Sequence, residues 1–162
     1  MDIQKLTQKS QEALAAAQSS AMALGHQQVD VEHVLLAMVE QPEGLLPRVF
    51  QKMGVDLQSV KERLKESLAK IPSVSGPGTE AGKVYLTPRL GKVFAQAESE
   101  AKRLKDEYIS VEHFALAVLE LEKSTPLGKL LSKVGVEKNS FLSALTAIRG
   151  NQRVVSANPE GT

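Results

Sequence analysis

The chain contains no cysteine and no tryptophan, and aromatic residues make up only 4% of it. Without cysteine there are no disulfides and no thiolate chemistry, which fits a reducing compartment. With so few aromatic residues, the core has to be built from Leu, Val, Ala and Met. An excess of one charge is also missing. Twenty basic and 19 acidic side chains leave a net charge of +1. Nucleic-acid modules usually carry a basic excess on one face, so this balance argues against a polyanionic partner. No block of like charges marks a membrane-binding tail. Long apolar runs are absent as well. Stretches such as Val34 to Val39 fall far short of a bilayer span, and Met1 to Lys5 lacks the basic start and apolar core of a secretory signal. The expectation is a cytoplasmic protein that binds neither nucleic acid nor membrane.

What is present is an internal duplication. Shifting the 162 residues by 80 places Leu6-Thr7 on Leu86-Thr87 and Val31-Glu32-His33 on Val111-Glu112-His113. Ala15, Ala17, Ser19, Ala21 and Leu24 fall on Ala95, Ala97, Ser99, Ala101 and Leu104. About a third of the positions between Leu6 and Gln41 repeat without a gap, which marks a structural repeat. One extra residue in the following loop then aligns Gly54-Val55-Asp56 with Gly135-Val136-Glu137.

Each copy reads as four helices. Thr7 caps the first, over 8–24, and Gly25 ends it. In the second copy Thr87 caps, and Pro88 takes the first helical position, where its missing N–H is harmless. The second helix follows Asp30 or Ser110, with Glu32 or Glu112 in its first turn, where the charge complements the helix dipole. Val34 to Val39 is apolar nearly all round, so this helix belongs at the centre of its unit. The third and fourth helices are expected over 46–53 and 57–68, and over 127–134 and 138–148. The fold expected is all-α, a pseudo-twofold tandem repeat of two four-helix units, eight helices in all, packed as one domain. Its repeats span about 6–70 and 86–149, within a domain of 1–149, and a flexible linker covers 71–85. Residues 150–162 have the loose composition of a further linker.

Catalytic signatures are near misses. Gly78 and Gly82 are separated by three residues, and Val84 follows Lys83, so the phosphate-loop pattern fails. His26, His33 and His113 include no close pair with the spacing of metal ligands, and a satisfied histidine at the start of the second helix is the simpler account. No serine sits in a nucleophile elbow. The chain is expected to be no enzyme, with no metal and no cofactor of its own.

The run Gly25-His26-Gln27-Gln28-Val29-Asp30-Val31-Glu32-His33-Val34-Leu35-Leu36-Ala37, repeated in part at Ile109 to Ala117, resembles the signature of the Clp repeat domain. The resemblance covers about Leu6 to Ile148. Within that family the chain is most similar to the N-terminal domain of ring-forming AAA+ protein disaggregases. Glu40 to Leu45, Val84 to Leu90 and Arg149 to Val154 carry that likeness, with Asn151 departing from a common glycine. The resemblance implies a domain that engages exposed hydrophobic segments of unfolded or aggregated client proteins in the stress response. It implies a hexameric ring, cooperation with the DnaK chaperone system, and ATP and Mg in ATPase modules that lie outside this chain. On this view 150–162 begins the linker to the first such module.

By motif, the family's functional positions fall on Thr7, Asp106 and Glu112, with Tyr108 and Ile109 beside them as apolar contacts. Each has a plainer role. Thr7 caps a helix, Glu112 complements a dipole, Asp106 sits solvated in an exposed turn, and Tyr108 and Ile109 plug the core. A groove is expected at the seam between the two first helices. The alternative functions are adaptor docking, as in a protease-coupled Clp unfoldase, and a structural spacer for ring assembly.

Overall fold

The structure is a computed structural model that describes residues 2–74, 84–150 and 152–157. Most of the expected linker between the repeats, 75–83 of 71–85, lies outside the described residues. Among the described residues there are eight α-helices: α1 (Gln8–Ala23), α2 (Val31–Val39), α3 (Leu45–Lys52), α4 (Leu57–Ala69), α5 (Pro88–Arg103), α6 (Val111–Leu121), α7 (Pro126–Lys133) and α8 (Lys138–Arg149). A 3-10 turn at Ile3–Lys5 and two short strands, β1 (Gln28–Val29) and β2 (Tyr85–Leu86), complete the elements.

The helix boundaries follow local chemistry. The Thr7 hydroxyl accepts from the Ser10 N–H, and the Thr87 hydroxyl from the Leu90 N–H. After α1 the chain turns through Gly25 at φ 74°, a left-handed conformation that a side chain would disfavour. In both second helices the third residue is histidine, and its ring completes the capping box from the acceptor side. The Asp30 N–H donates to His33 Nδ1 (2.9 Å), and the Ser110 N–H to His113 Nδ1 (2.8 Å).

α2 and α6 form the centre. Nine of the residues from Val111 to Leu119 are buried in α6, and seven between Val31 and Val39 in α2. Each fully buried Val, Leu or Phe contributes about 1.5–3 kcal/mol. α1 packs on α2 and α5 on α6, while α3 meets α8 across the repeat boundary, where Phe50 and Phe141 stand edge to face at 6.1 Å. The two units therefore share one core.

The chain also crosses between the units at its helix starts. β1 pairs with β2 in parallel, Gln28 opposite Tyr85 and Val29 opposite Leu86. In the symmetry-related place Leu6 bridges Ile109 in parallel. The lead-in to α1 is thus held by the second unit's motif, and the lead-in to α5 by the first unit's. Thr87 donates its N–H to the Val29 carbonyl (3.1 Å), and Thr7 donates its own to Ile109 (3.0 Å).

Candidate binding cleft at the second repeat

Asp106 follows α5 through a tight turn in which Lys105 is left-handed (φ 61°). It was expected to lie solvated in an exposed turn, but its side chain is fully buried. It stays charged there because every partner is a donor. His113 Nε2 lies 2.6 Å from Oδ2, while the Arg149 guanidinium (2.6 Å) and the Val154 N–H (2.8 Å) both donate to Oδ1. Burial opposes the charge. The hydrogen bonds from His113, Arg149 and Val154 outweigh it and hold the carboxyl well below the usual carboxylate range. The Ser110 N–H donates to His113 Nδ1, so the ring carries its proton on Nε2 and gives it to Asp106.

Arg149, at the end of α8, ties this carboxylate to a second one. Its other terminal nitrogen stands 3.6 Å from Glu112, which is also buried and accepts from the Ser110 hydroxyl. Glu112 therefore sits in the first turn of α6, as the dipole argument has it, and also joins an ion cluster. Asp106 and Glu112 meet through Arg149. Thr7 joins from the other side: its N–H and the Ser10 hydroxyl (3.0 Å) both donate to the Ile109 carbonyl. Thr7 also keeps its capping role. Ile109 contributes backbone only, since its side chain is core, and Tyr108 is half-buried.

The first unit answers each of these groups differently. His26 stands in the place of Asp106 and faces His33 at 2.9 Å. Because the Asp30 N–H donates to His33 Nδ1, the His33 proton sits on Nε2 and points at His26 Nδ1. Burial, then the neighbouring His26, push the His33 pKa down. Glu32, the counterpart of Glu112, is held by two bonds from Arg89 (2.8 and 3.2 Å), which also reaches Asp30 and Glu122. Lys9, the counterpart of Arg89, turns away to Glu12 at 3.5 Å. Glu112 is approached instead by Arg149 of α8.

A cleft of about 350 Å³ opens at that place. One wall is the loop Gln41 to Leu45 with Arg48 of α3, and the other is Ile148, Arg149 and residues 152–154. Lys9 and Glu112 complete the lining. A second cleft of about 280 Å³ runs from Arg103–Lys105 to Leu142–Arg149. A third, also about 280 Å³, lies between α1 and α2. In none of the three do α1 and α5 face each other, so the expected seam between the first helices is not where these clefts lie.

Sequence reasoning missed Arg149, Ser10, Ser110 and Val154. Asp106 falling opposite His26 in the repeat was a usable signal of a special position. Arg149, 43 residues from Asp106, offered none. Among the described residues no group of three or more His, Asp or Glu is placed to hold a metal, and no helix is long and apolar enough to cross a membrane.

The sequence profile described as the Clp repeat (R) N-terminal domain matches residues 5–134. The chain belongs to the Clp repeat N-terminal domain family. Across all 162 residues it is 45% identical to a protein called chaperone protein ClpB from Nitratidesulfovibrio vulgaris, and it spans 19% of that relative's length. The fold is that of the Hsp104 N-terminal domain from Candida albicans, with a TM-score of 0.78 at 22% identity, covering 94% of this chain and 96% of that one. A ClpV N-domain in complex with a VipB peptide is also similar (TM-score 0.67, 20% identity, 89% of each chain). The paired lead-ins and the two histidine caps are how this Clp repeat domain builds its pseudo-twofold frame.

Proposed function

We propose that this Clp repeat domain is the client-recognition domain of a ClpB-type, ATP-dependent protein disaggregase. It binds exposed apolar segments of unfolded or aggregated proteins and presents them to ATPase modules elsewhere in the protein. Those modules, with their ATP and Mg, would form the hexameric ring and work with the DnaK system in the cytoplasm during stress. The domain itself catalyses nothing. The observation that carries the reading is the cleft beside Glu112, whose lining sets Leu45, Ile148 and Val154 among charged and polar groups, a mixture suited to extended chain. The likeness of the whole of this chain to 19% of a chaperone protein ClpB supports it. In this reading Thr7, Asp106 and Glu112 set the shape of the cleft wall. Tyr108 supplies apolar contact.

One domain should bind weakly, and six tethered copies in a ring should gain affinity through multivalency. The test is an amide NMR titration of the 162-residue chain with a permanently unfolded protein and, separately, with the same protein folded. Shifts near Thr7, Asp106 and Glu112 with the unfolded form alone are expected. Shifts only with a folded partner would replace client binding with adaptor docking. The peptide-bound ClpV N-domain keeps a nearby second reading open, docking of one defined partner segment, which a single peptide sequence would then satisfy. If neither form shifts any amide at millimolar concentration, the spacer role is left.

A further inference from the structure

The domain holds a peptide already, and it is its own. Beyond α8, residues 152–157 lie against the second unit and the start of α1. Val154 donates its N–H to Asp106 Oδ1 (2.8 Å), and its carbonyl accepts from the N–H groups of Glu107 (2.7 Å) and, more distantly, Tyr108 (3.4 Å). Its side chain is 4% exposed, while Val155 beside it is 59% exposed and Arg153 is exposed too. Further on, the Ala157 carbonyl accepts from the Gln8 N–H (2.6 Å). At Val154 one aliphatic side chain is therefore buried, and the hydrogen bonds of that residue are made by its backbone. Such contacts do not depend on sequence, since any extended chain offers the same N–H and C=O.

This segment also divides the surface. The clefts of about 350 and 280 Å³ share Arg149, Gln152 and Arg153 in their walls, so the tail stands between them. Lifting 152–154 removes the shared wall and leaves the edge Asp106–Tyr108 open along its backbone donors.

We infer that the Asp106–Tyr108 edge is a recognition site for an extended segment bearing one aliphatic residue, that Val154 occupies it in cis, and that client segments bind there by displacing Val154. The inference rests on the client-binding reading and adds a location and a competitor to it. The tethered tail is present at high effective concentration, so an outside segment binds only in the fraction of time the tail is away. The same exchange would report client engagement to whatever follows residue 157.

The test uses the 162-residue chain with Val154→Asp, which puts a second carboxylate against Asp106 and expels the tail, and with Val154→Ala as the milder release. Circular dichroism checks that both keep their helix content. The probe is a reduced, carboxymethylated protein that stays unfolded. Both variants should bind it more tightly than the parent chain, by about tenfold for Val154→Asp, with amide shifts at Glu107, Tyr108 and Ile109. If parent and variants bind with equal affinity and those amides stay still, the site lies elsewhere and the inference fails while client binding stands. If no form binds, both fall. Should Val154→Asp lose its fold, Val154→Ala alone decides between the first two outcomes.

Discussion

The same cap, a histidine at the third position of a central helix, is served by two different neighbours. In the first unit its Nε2 meets another imidazole, His26; in the second it meets the carboxylate of Asp106. A ring facing a ring needs no counter-ion. A buried carboxylate does, and Arg149 and the Val154 N–H supply the remaining donors. One substitution between the repeats thus recruits the end of α8 and the tail to the second unit. In the first unit Leu68, near the end of α4, stands in the place of Arg149. Duplication supplied the frame, and divergence at 26 and 106 made one half a closed structural site and the other a site with a displaceable occupant.

The largest expected effect breaks the second half of this comparison. Asp106→Ala leaves the fully buried His113 without its acceptor and takes the nearer of two carboxylates from Arg149, and should cost about 3–5 kcal/mol in urea unfolding. His26→Ala removes one neutral contact and should cost about 1–2 kcal/mol. Equal losses would mean that the carboxylate network holds nothing that the ring pair does not.

Next comes a packing difference. Gly128 in α7 occupies the place of Pro47 in α3, and a Cβ on it would collide with the Glu122 backbone carbonyl. Gly128→Ala should destabilise by about 1–3 kcal/mol in thermal or urea unfolding. An unchanged Tm would show that the loop before α7 yields freely.

The caps should differ less. Thr7→Ala and Thr87→Ala should each cost about 1 kcal/mol, but only Thr87 also donates to Asp30, at 2.8 Å. Thr87→Ala should therefore be the larger of the two. The reverse order in denaturant titrations would mean that the Thr7–Ser10 hydroxyl pair counts for more than that bond.

The smallest and most local effect is in pH. The folded His33 pKa lies below its ordinary value of 6.5, because of burial and His26, while Asp30 and Glu32 oppose the shift. The unfolded chain then binds more protons, so this stability is complete above about 6.5 and is lost as pH falls below it. Asp106 is also depressed, from an ordinary 3.8, so its contribution is complete above about 4 and fades only below that. Hydrogen exchange, corrected for intrinsic rates, should show α1–α2 amides losing protection between pH 7 and 5 while α5–α6 amides keep theirs. Simultaneous loss in both pairs would contradict the assignment of the acid-sensitive group to the first unit.

The helices were legible because their signals are local. Thr7, Thr87, Asp30 and Gly25 each act within one turn, and the observed ends lie within a residue or two of those expected. The centrality of α2 and α6 was legible from their all-round apolar faces. The site was legible only in part. Thr7, Asp106 and Glu112 could be named, but Asp106 read as a solvated turn residue, since a carboxylate after a helix has no local reason to be buried. Its reason is Arg149, 43 residues on.

What the string of residues determined is what short-range physics can write: where helices begin and stop, which faces are apolar, and that the pattern occurs twice. What only the folded chain decided is which unit holds which lead-in, and which distant cation reaches each of two equivalent carboxylates, Glu32 and Glu112. Arg89 reaches Glu32 and Arg149 reaches Glu112 from 57 and 37 positions along the chain; such side chains, far apart in sequence, arrive at one place, and the free energy of a buried charge is set by what arrives there.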